Sequence, residues 1–293
     1  MKQRKQALFI LSFLGPPLAL YAIFVLIPTI SAFRYSLMRW DGLSAPVWVG
    51  LHNFRQFTAE GSDFIPAIKH NLFLTFVPGV FIVSLALMFA NLIHQRIKGA
   101  RLFRIAFFFP NIISSVAVAL LWILVYSSTK VGLLNHLGSS LFHQQKPIAY
   151  AQSATLLWAL VPMIVWTSTG FYMVLFLAAM ENIPETFYEA ARLDGAGPGA
   201  IFRRITLPLM WEVLTTGVIF LIIGGLKFFD SIWIMENGRP KTPTHTLSTL
   251  MYQKVFEQYD IGQGTAIAVL LFVLVLMATL ISRRLMQRES LEY

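Results

Sequence analysis

Six stretches of this chain run for more than 20 residues almost without charge, and this limits its fold more than any other feature. A bilayer core of about 30 Å takes roughly 20 helical residues to cross, because lipid offers no partner to a backbone amide or carbonyl. The stretches are 7–33, 71–93, 105–129, 154–180 (within a longer uncharged run from 147), 213–235 and 261–282. The fifth is interrupted only by Lys227 and Asp230. With 56% hydrophobic and 13% charged residues, a water-soluble fold has too little polar surface to cover it. The expectation is an all-α integral membrane protein, a bundle of six transmembrane helices forming one domain over 7–285. An outer loop spans 34–70, an inner loop 181–210, and short tails 1–6 and 283–293.

Lys2, Arg4 and Lys5 ahead of an apolar run resemble the start of a signal peptide. The run, however, continues uncharged through residue 33 with no small-x-small cleavage pattern, so it reads as a retained helix. Basic residues then set the orientation. With the N-terminus inside, the inner segments collect Arg96, Lys98, Arg101, Arg104, Arg192, Arg203, Arg204, Arg283, Arg284 and Arg288 besides the N-terminal three. Both termini are therefore placed in the cytoplasm. The formal charge of +9 is a cytoplasmic-loop bias and calls for no nucleic acid. Prolines and glycines within the spans, such as Pro28, Pro78, Pro110, Pro162 and Gly170, read as kinks and close helix approaches.

Chemistry is scarce in the spans. Without cysteine there is no disulfide framework, zinc-thiolate site or Cys nucleophile. The histidines fall in loops or at span edges without i, i+4 metal spacing, and no carboxylate pair lies mid-membrane. No Gly-Lys dipeptide exists, so a phosphate-binding P-loop is excluded and energy for transport must come from an ion gradient or another subunit. Lys227 and Asp230 are the intramembrane exceptions, three apart and so able to face one another, either as a neutralised local pair or lining a path.

The loop 181–210 is patterned for two short helices. Pro184 and Glu185 suit a first turn, and Asp194-Gly195 a stop. A second helix starts near Pro198 and is ended by Pro208, with Ile201, Phe202 and Ile205 on one face and Arg203 and Arg204 pointing away. Ala190, Ala191 and Gly195 leave room for another backbone. Such an element fits a protein groove, or else the lipid headgroups.

The stretch Glu189-Ala190-Ala191-Arg192-Leu193-Asp194-Gly195-Ala196, followed by Phe202, Ile205, Leu207, Pro208 and Leu209, resembles the EAA loop of ATP-binding-cassette importer permeases. Gly50-Leu51-His52-Asn53-Phe54, Asn71 as the opener of the second span, Phe229-Asp230 and Tyr259-Asp260-Ile261-Gly262 are similar to the branch serving binding-protein-dependent carbohydrate uptake, of the maltose and glycerol-phosphate type. Glu212, where relatives often carry proline, and Ser127 to Lys130 depart from that pattern. The resemblance implies the type I importer permease fold and a coupling helix that docks on an ATP-hydrolysing subunit. Glu189, Ala190, Ala191, Asp194, Gly195, Ala196, Leu207 and Pro208 would form the coupling element, with Phe202 and Ile205 as docking anchors. It implies as partners a second permease, two ATP-binding subunits and an external solute-binding protein. The chain itself would bind no cofactor, ATP and Mg being used by the partner, and would sit in a bacterial inner membrane.

Candidates for the solute path or gate are Asn111, Trp158, Trp166, Tyr172, Lys227 and Asp230, since sugars are held by aromatic faces and a few polar partners. Other cargo (phosphate esters, peptides, polyamines) and a membrane-embedded enzyme or scaffold remain competing readings at this point.

Overall fold

The computed structural model of the chain describes residues 2–95, 98–129, 132–142 and 146–286. It divides into two compact units, Met1–Ile65 with Leu250–Phe272, and Pro66–Thr249 with Val273–Tyr293.

The first unit opens with helix α1 (Lys2–Tyr21), a π turn at Ala22–Leu26 and α2 (Ile27–Tyr35). Its apolar span, Ser12–Tyr35, has none of its most apolar window buried within this chain. Strands β1 (Met38–Arg39) and β2 (Val47–Trp48) pair antiparallel, Met38 opposite Trp48, and a single-turn helix α3 (His52–Arg55) follows. Asn53 pins this corner: its buried Nδ2 donates to the carbonyls of Ser36 and Met38, both at 2.8 Å. Gly262 sits against the same Met38 carbonyl, where a Cβ would have no room. The motifs around Asn53 and Gly262 are thus halves of one contact.

The second unit holds most of α4 (Phe64–His94), then α5 (Ala100–Ile112), α6 (Ser115–Val125), α7 (Leu133–Phe142) and α8 (Leu156–Glu181). The short helices α9 (Glu185–Leu193), α10 (Pro198–Ile201) and α11 (Leu207–Leu209) form the expected loop. After them come α12 (Trp211–Leu226), α13 (Asp230–Met235), α14 (Leu247–Tyr252, shared between the units) and the end of α15 (Ile261–Met286). Five helical spans have the length and hydropathy to cross a membrane, and the bent pair α5–α6 makes up to six.

The core lies where α4, α8 and α12 meet, with Ile82, Ala86, Met173, Phe176, Leu177, Met180 and Leu214 buried together. Small residues let backbones approach, as is usual where lipid removes the hydrophobic drive between helices. Gly170 of α8 faces the α5 backbone so closely that a Cβ would run into the Phe107 carbonyl and lie 2.8 Å from the Phe108 Cα.

Three expectations are corrected. The second span begins at Phe64, so Asn71 lies inside α4; Pro66 is tolerated in the first turn, where its missing amide has no partner to lose. The third and fifth spans are not continuous helices: α5 and α6 meet at 98°, and α12 is separated from α13 by Lys227–Phe229. Pro208 does not end the second loop helix. A π turn at Phe202–Thr206 widens the helix ahead of it, relieving the clash its ring would make one turn back, and helical residues continue to Leu209.

Candidate functional site

The loop 181–210 is built from its termination signals. Helix α9 has Glu185 in its first turn and Arg192 in its last, each complementing the helix dipole, and the two side chains pair at 3.1 Å. Gly195, at φ +77°, closes the helix: Gly195 N–H donates to the Arg192 carbonyl at 3.1 Å and Ala196 N–H to the Ala191 carbonyl at 2.9 Å. This double bond pattern is a Schellman cap, which needs a left-handed residue. The chain then reverses through an extended Gly197 into α10.

Tyr188 and Ala191, three apart, are buried, and the Tyr188 ring lies 5.2 Å from the ring of His94 at the end of α4. Thr206 Oγ1 donates to the Tyr188 hydroxyl at 3.4 Å. The opposite face of α9 is bare: Glu189, Ala190, Arg192, Asp194 and Gly195 are exposed, and Leu193 is 89% exposed. The facing of the second loop helix follows the sequence pattern, Arg203 and Arg204 outward and Ile201, Phe202 and Ile205 half-buried. Its apolar face, however, is turned toward the bundle, with Phe202 packed on the core cluster beside Leu207. The most exposed large apolar side chain of α9 is Leu193, ahead of Phe187 at 39%, and sequence reasoning gave it no role. Its signal was available: Tyr188 and Ala191 fix the inward face, and Leu193 falls two residues beyond it.

Behind the loop opens a cavity of about 1420 Å³ bounded by the ends of α4, α5 and α8 and by α9 and α10. Arg104 of α5 spans one side to Glu181 of α8 at 2.7 Å, both about half-exposed.

The second candidate region lies at the broken spans. Asn111, Ser114, Ser115, Lys227 and Asp230 are all exposed, although they belong to segments otherwise apolar. Lys227 and Asp230 do not face one another as their spacing suggested. Lys227 caps the end of α12, and Asp230 opens α13 with its carboxylate accepting the Ser115 hydroxyl at 2.7 Å. The carbonyls at the break go to Asn71, fully buried on α4, whose Nδ2 donates to Gly225 and Leu226 at 2.9 and 3.0 Å. Its Oδ1 accepts the Leu247 amide at 2.8 Å. The aromatic candidates separate. Tyr172 is buried in the core cluster, while Trp158 is 65% exposed, its ring 4.8 Å from that of Phe73 in a T-shaped pair. Trp166 is 40% exposed beside Trp122, whose buried indole N–H has no acceptor. Among the described residues no group of His, Asp and Glu could hold a metal ion.

Three comparisons bear on this arrangement. The chain is 35% identical to the diacetylchitobiose uptake system permease protein NgcF of Streptomyces coelicolor, over 90% of this chain and 78% of that protein. It is 29% identical to the multiple sugar-binding transport system permease protein MsmF of Streptococcus mutans, over 90% of each. Its fold matches a chain of a bacterial alginate ABC transporter, solved with an alginate pentasaccharide-bound periplasmic protein, at a TM-score of 0.83 and 23% identity, covering 99% of this chain and 98% of that one. The family profile described as "Binding-protein-dependent transport system inner membrane component" matches residues 82–290. This chain, a multi-pass membrane protein with the type I importer permease fold, belongs to that family of binding-protein-dependent transport permeases.

Proposed function

We propose that this permease is one half of the membrane channel of an ATP-driven importer for a sugar or sugar derivative, working by alternating access in a bacterial inner membrane with both termini in the cytoplasm. The observation that carries the reading is the exposed ridge of α9. Glu189, Ala190, Leu193, Asp194 and Gly195 stand clear of the bundle. Tyr188 and Ala191 hold the other side of the same helix to it. An apolar knob flanked by small residues, on a helix end stiffened by a Schellman cap, is suited to pushing or being pushed by a neighbouring protein. We assign that neighbour as an ATP-hydrolysing subunit, which uses ATP and Mg; this chain binds no cofactor. A second permease, a second ATP-binding subunit and an external solute-binding protein complete the assembly.

Exposed polar side chains at two helix breaks are what a water-filled path requires, since lipid penalises such groups. Asn111, Ser114, Ser115, Lys227 and Asp230 therefore line the solute path, and Trp166 is the aromatic candidate beside it. The sugar assignment is supported by the names of NgcF and MsmF.

The test is reconstitution in liposomes with ATPase subunits and the solute-binding protein, followed by uptake of labelled di- and oligosaccharides. ATP-dependent sugar accumulation is expected. Uptake of a phosphate ester, peptide or polyamine instead would overturn the cargo, and turnover of a substrate by this chain with no ATPase bound would overturn the transport role.

A further inference from the structure

A helix that stops inside a membrane leaves its last carbonyls without partners, and lipid supplies none. Helix α12 stops at Leu226, within the apolar span Trp211–Met235, and beyond a 3.4 Å backbone bond from Phe228 N–H to the Gly225 carbonyl its end is completed by a side chain. A primary amide has two N–H donors and one carbonyl acceptor, and Asn71 commits donors and acceptor alike to this one place. Asn71 thereby ties three elements together: α4, which carries it, the carbonyl end of α12, and the amide end of α14. Neighbouring contacts reinforce the tie. Thr75, one turn along α4, donates its hydroxyl back to the Asn71 carbonyl at 2.7 Å. Gly225 lies so close to Thr75 that a Cβ would meet the Thr75 Cα at 2.7 Å. Thr246, just before α14, donates to the Phe228 carbonyl at 2.8 Å.

On one side of this knot Lys227 is exposed; on the other Asp230 reaches Ser115. The clamp thus ends where the candidate solute path begins. Satisfying these carbonyls is fold support in itself; the added consequence is that their donors belong to a side chain of another helix, so α4 and the end of α12 are coupled through it. An amide on the two final carbonyls lets the helix end reorient with α4 and α14 while no backbone group is exposed to lipid. We propose that Asn71 is a positioning residue for transport: it makes the end of α12 move as one body with α4 and α14, so that exposure of the path at the α12–α13 break follows the nucleotide state. This rests on the permease reading above.

The chain contains no cysteine, so a single one introduced here is its only thiol, and labelling is read on this chain's own band after the subunits are separated by gel. Gly224 is exposed, has open space around a would-be Cβ, and lies three residues before Lys227 on the same helix face. In the assembled transporter in liposomes, carrying Gly224→Cys, the rate of reaction with a membrane-impermeant maleimide is measured without nucleotide and with ATP plus vanadate. With Asn71 intact the two rates should differ by about fivefold or more. With Asn71→Asp, which keeps the shape but turns both donors into acceptors, they should agree within about twofold while the complex still assembles. Thr246→Val, a milder loss at the same break, should reduce the ratio by about half. A preserved ratio in Asn71→Asp overturns the assignment, as does one in Thr246→Val should Asn71→Asp not assemble. Loss of assembly in both variants makes Asn71 fold support only and overturns it as well. Equal rates with Asn71 intact sink the alternating-access reading itself, and the assignment with it.

Discussion

Replacing Leu193 by alanine should weaken docking of the ATP-hydrolysing subunit without touching the fold of this chain. Leu193 is 89% exposed and packs on nothing in its own chain that its loss could empty. Burying a leucine side chain contributes about 2–3 kcal/mol, and truncation to alanine forfeits roughly 2 kcal/mol of that. At about 1.4 kcal/mol per tenfold, the docking Kd should rise about 30-fold. The unfolding free energy of the isolated permease should move by less than about 0.5 kcal/mol, as for other surface changes. Phe202→Ala gives the complementary result. That ring packs on the cluster containing Met210 and Leu214, so its removal should cost about 3 kcal/mol of stability. The assay is titration of a labelled ATPase subunit onto the permease in nanodiscs, beside thermal unfolding followed by tryptophan fluorescence. The reasoning fails if Leu193→Ala binds within twofold of the parent, or if Phe202→Ala loses docking at an unchanged melting temperature. The second result would return the anchor to the second loop helix.

The other predictions concern backbone conformation, close packing and charge. A Cβ at Gly195 would meet no neighbour within 4 Å, so the cost of Gly195→Val, about 1–2 kcal/mol, comes chiefly from a φ of +77°; transport and coupled ATPase should fall while membrane insertion is unchanged, as read by quantitative blotting beside uptake. Gly170→Ala must push α5 off α8 and should cost about 3 kcal/mol or more, measured as a lowered melting temperature in detergent. Outside the spans, the backbone amides of Ser44 and Leu43, helped by the Ser44 hydroxyl, lower the Asp41 carboxyl to about 2. Because the folded value lies below the ordinary one of 3.8, the support is complete above 3.8, fades as pH falls below it and is gone once pH has fallen through about 2. Asp41→Asn should therefore speed proteolysis of the 40–46 turn at neutral pH, and in the parent the resistance of that turn to an acid-active protease should decline progressively between pH 3.8 and about 2.

The membrane spans were legible because a helix in lipid is apolar all round for about 20 residues, and a chain of this length has no soluble core large enough to bury six such runs. So was the helix-turn-helix at 185–206, whose Asp194-Gly195 stop appears as a Schellman cap. The breaks within spans were not legible, because hydropathy scores Ile113 and Phe228 alike whether the helix continues through them or stops. The true start of α4 was hidden by Lys69 and His70, charged or polar residues that mark a loop by composition but sit in helical turns here. Asn71 reads as a helix opener by the resemblance and by its place at the start of an uncharged run, while the partners that define its role lie 154, 155 and 176 residues further along the chain. Nothing local in sequence announces a contact of that range. Likewise Ser115 in an apolar run gave no sign that it would answer Asp230 in place of Lys227.

What connects the two candidate regions is α4. At one end His94 lies against Tyr188, the buried side of the helix whose outer side carries Leu193. At Asn71, 23 residues earlier and so roughly 35 Å away along a continuous helix, the same element grips the break beside Lys227 and Asp230. Helix α8 offers a second route, since Arg104 and Glu181 join it to α5 near the loop while Gly170 seats it on the α5 backbone farther along. The two routes differ in kind. The α5–α8 seam is held by backbone contact at Gly170, which tolerates little sliding. The α4 route ends in hydrogen bonds from one side chain to a helix terminus, which tie that terminus to α4 without backbone contact at that residue. On the proposed reading a push at α9 would reach the span breaks with α5 and α8 moving as a block and with α4 carrying the end of α12 through Asn71.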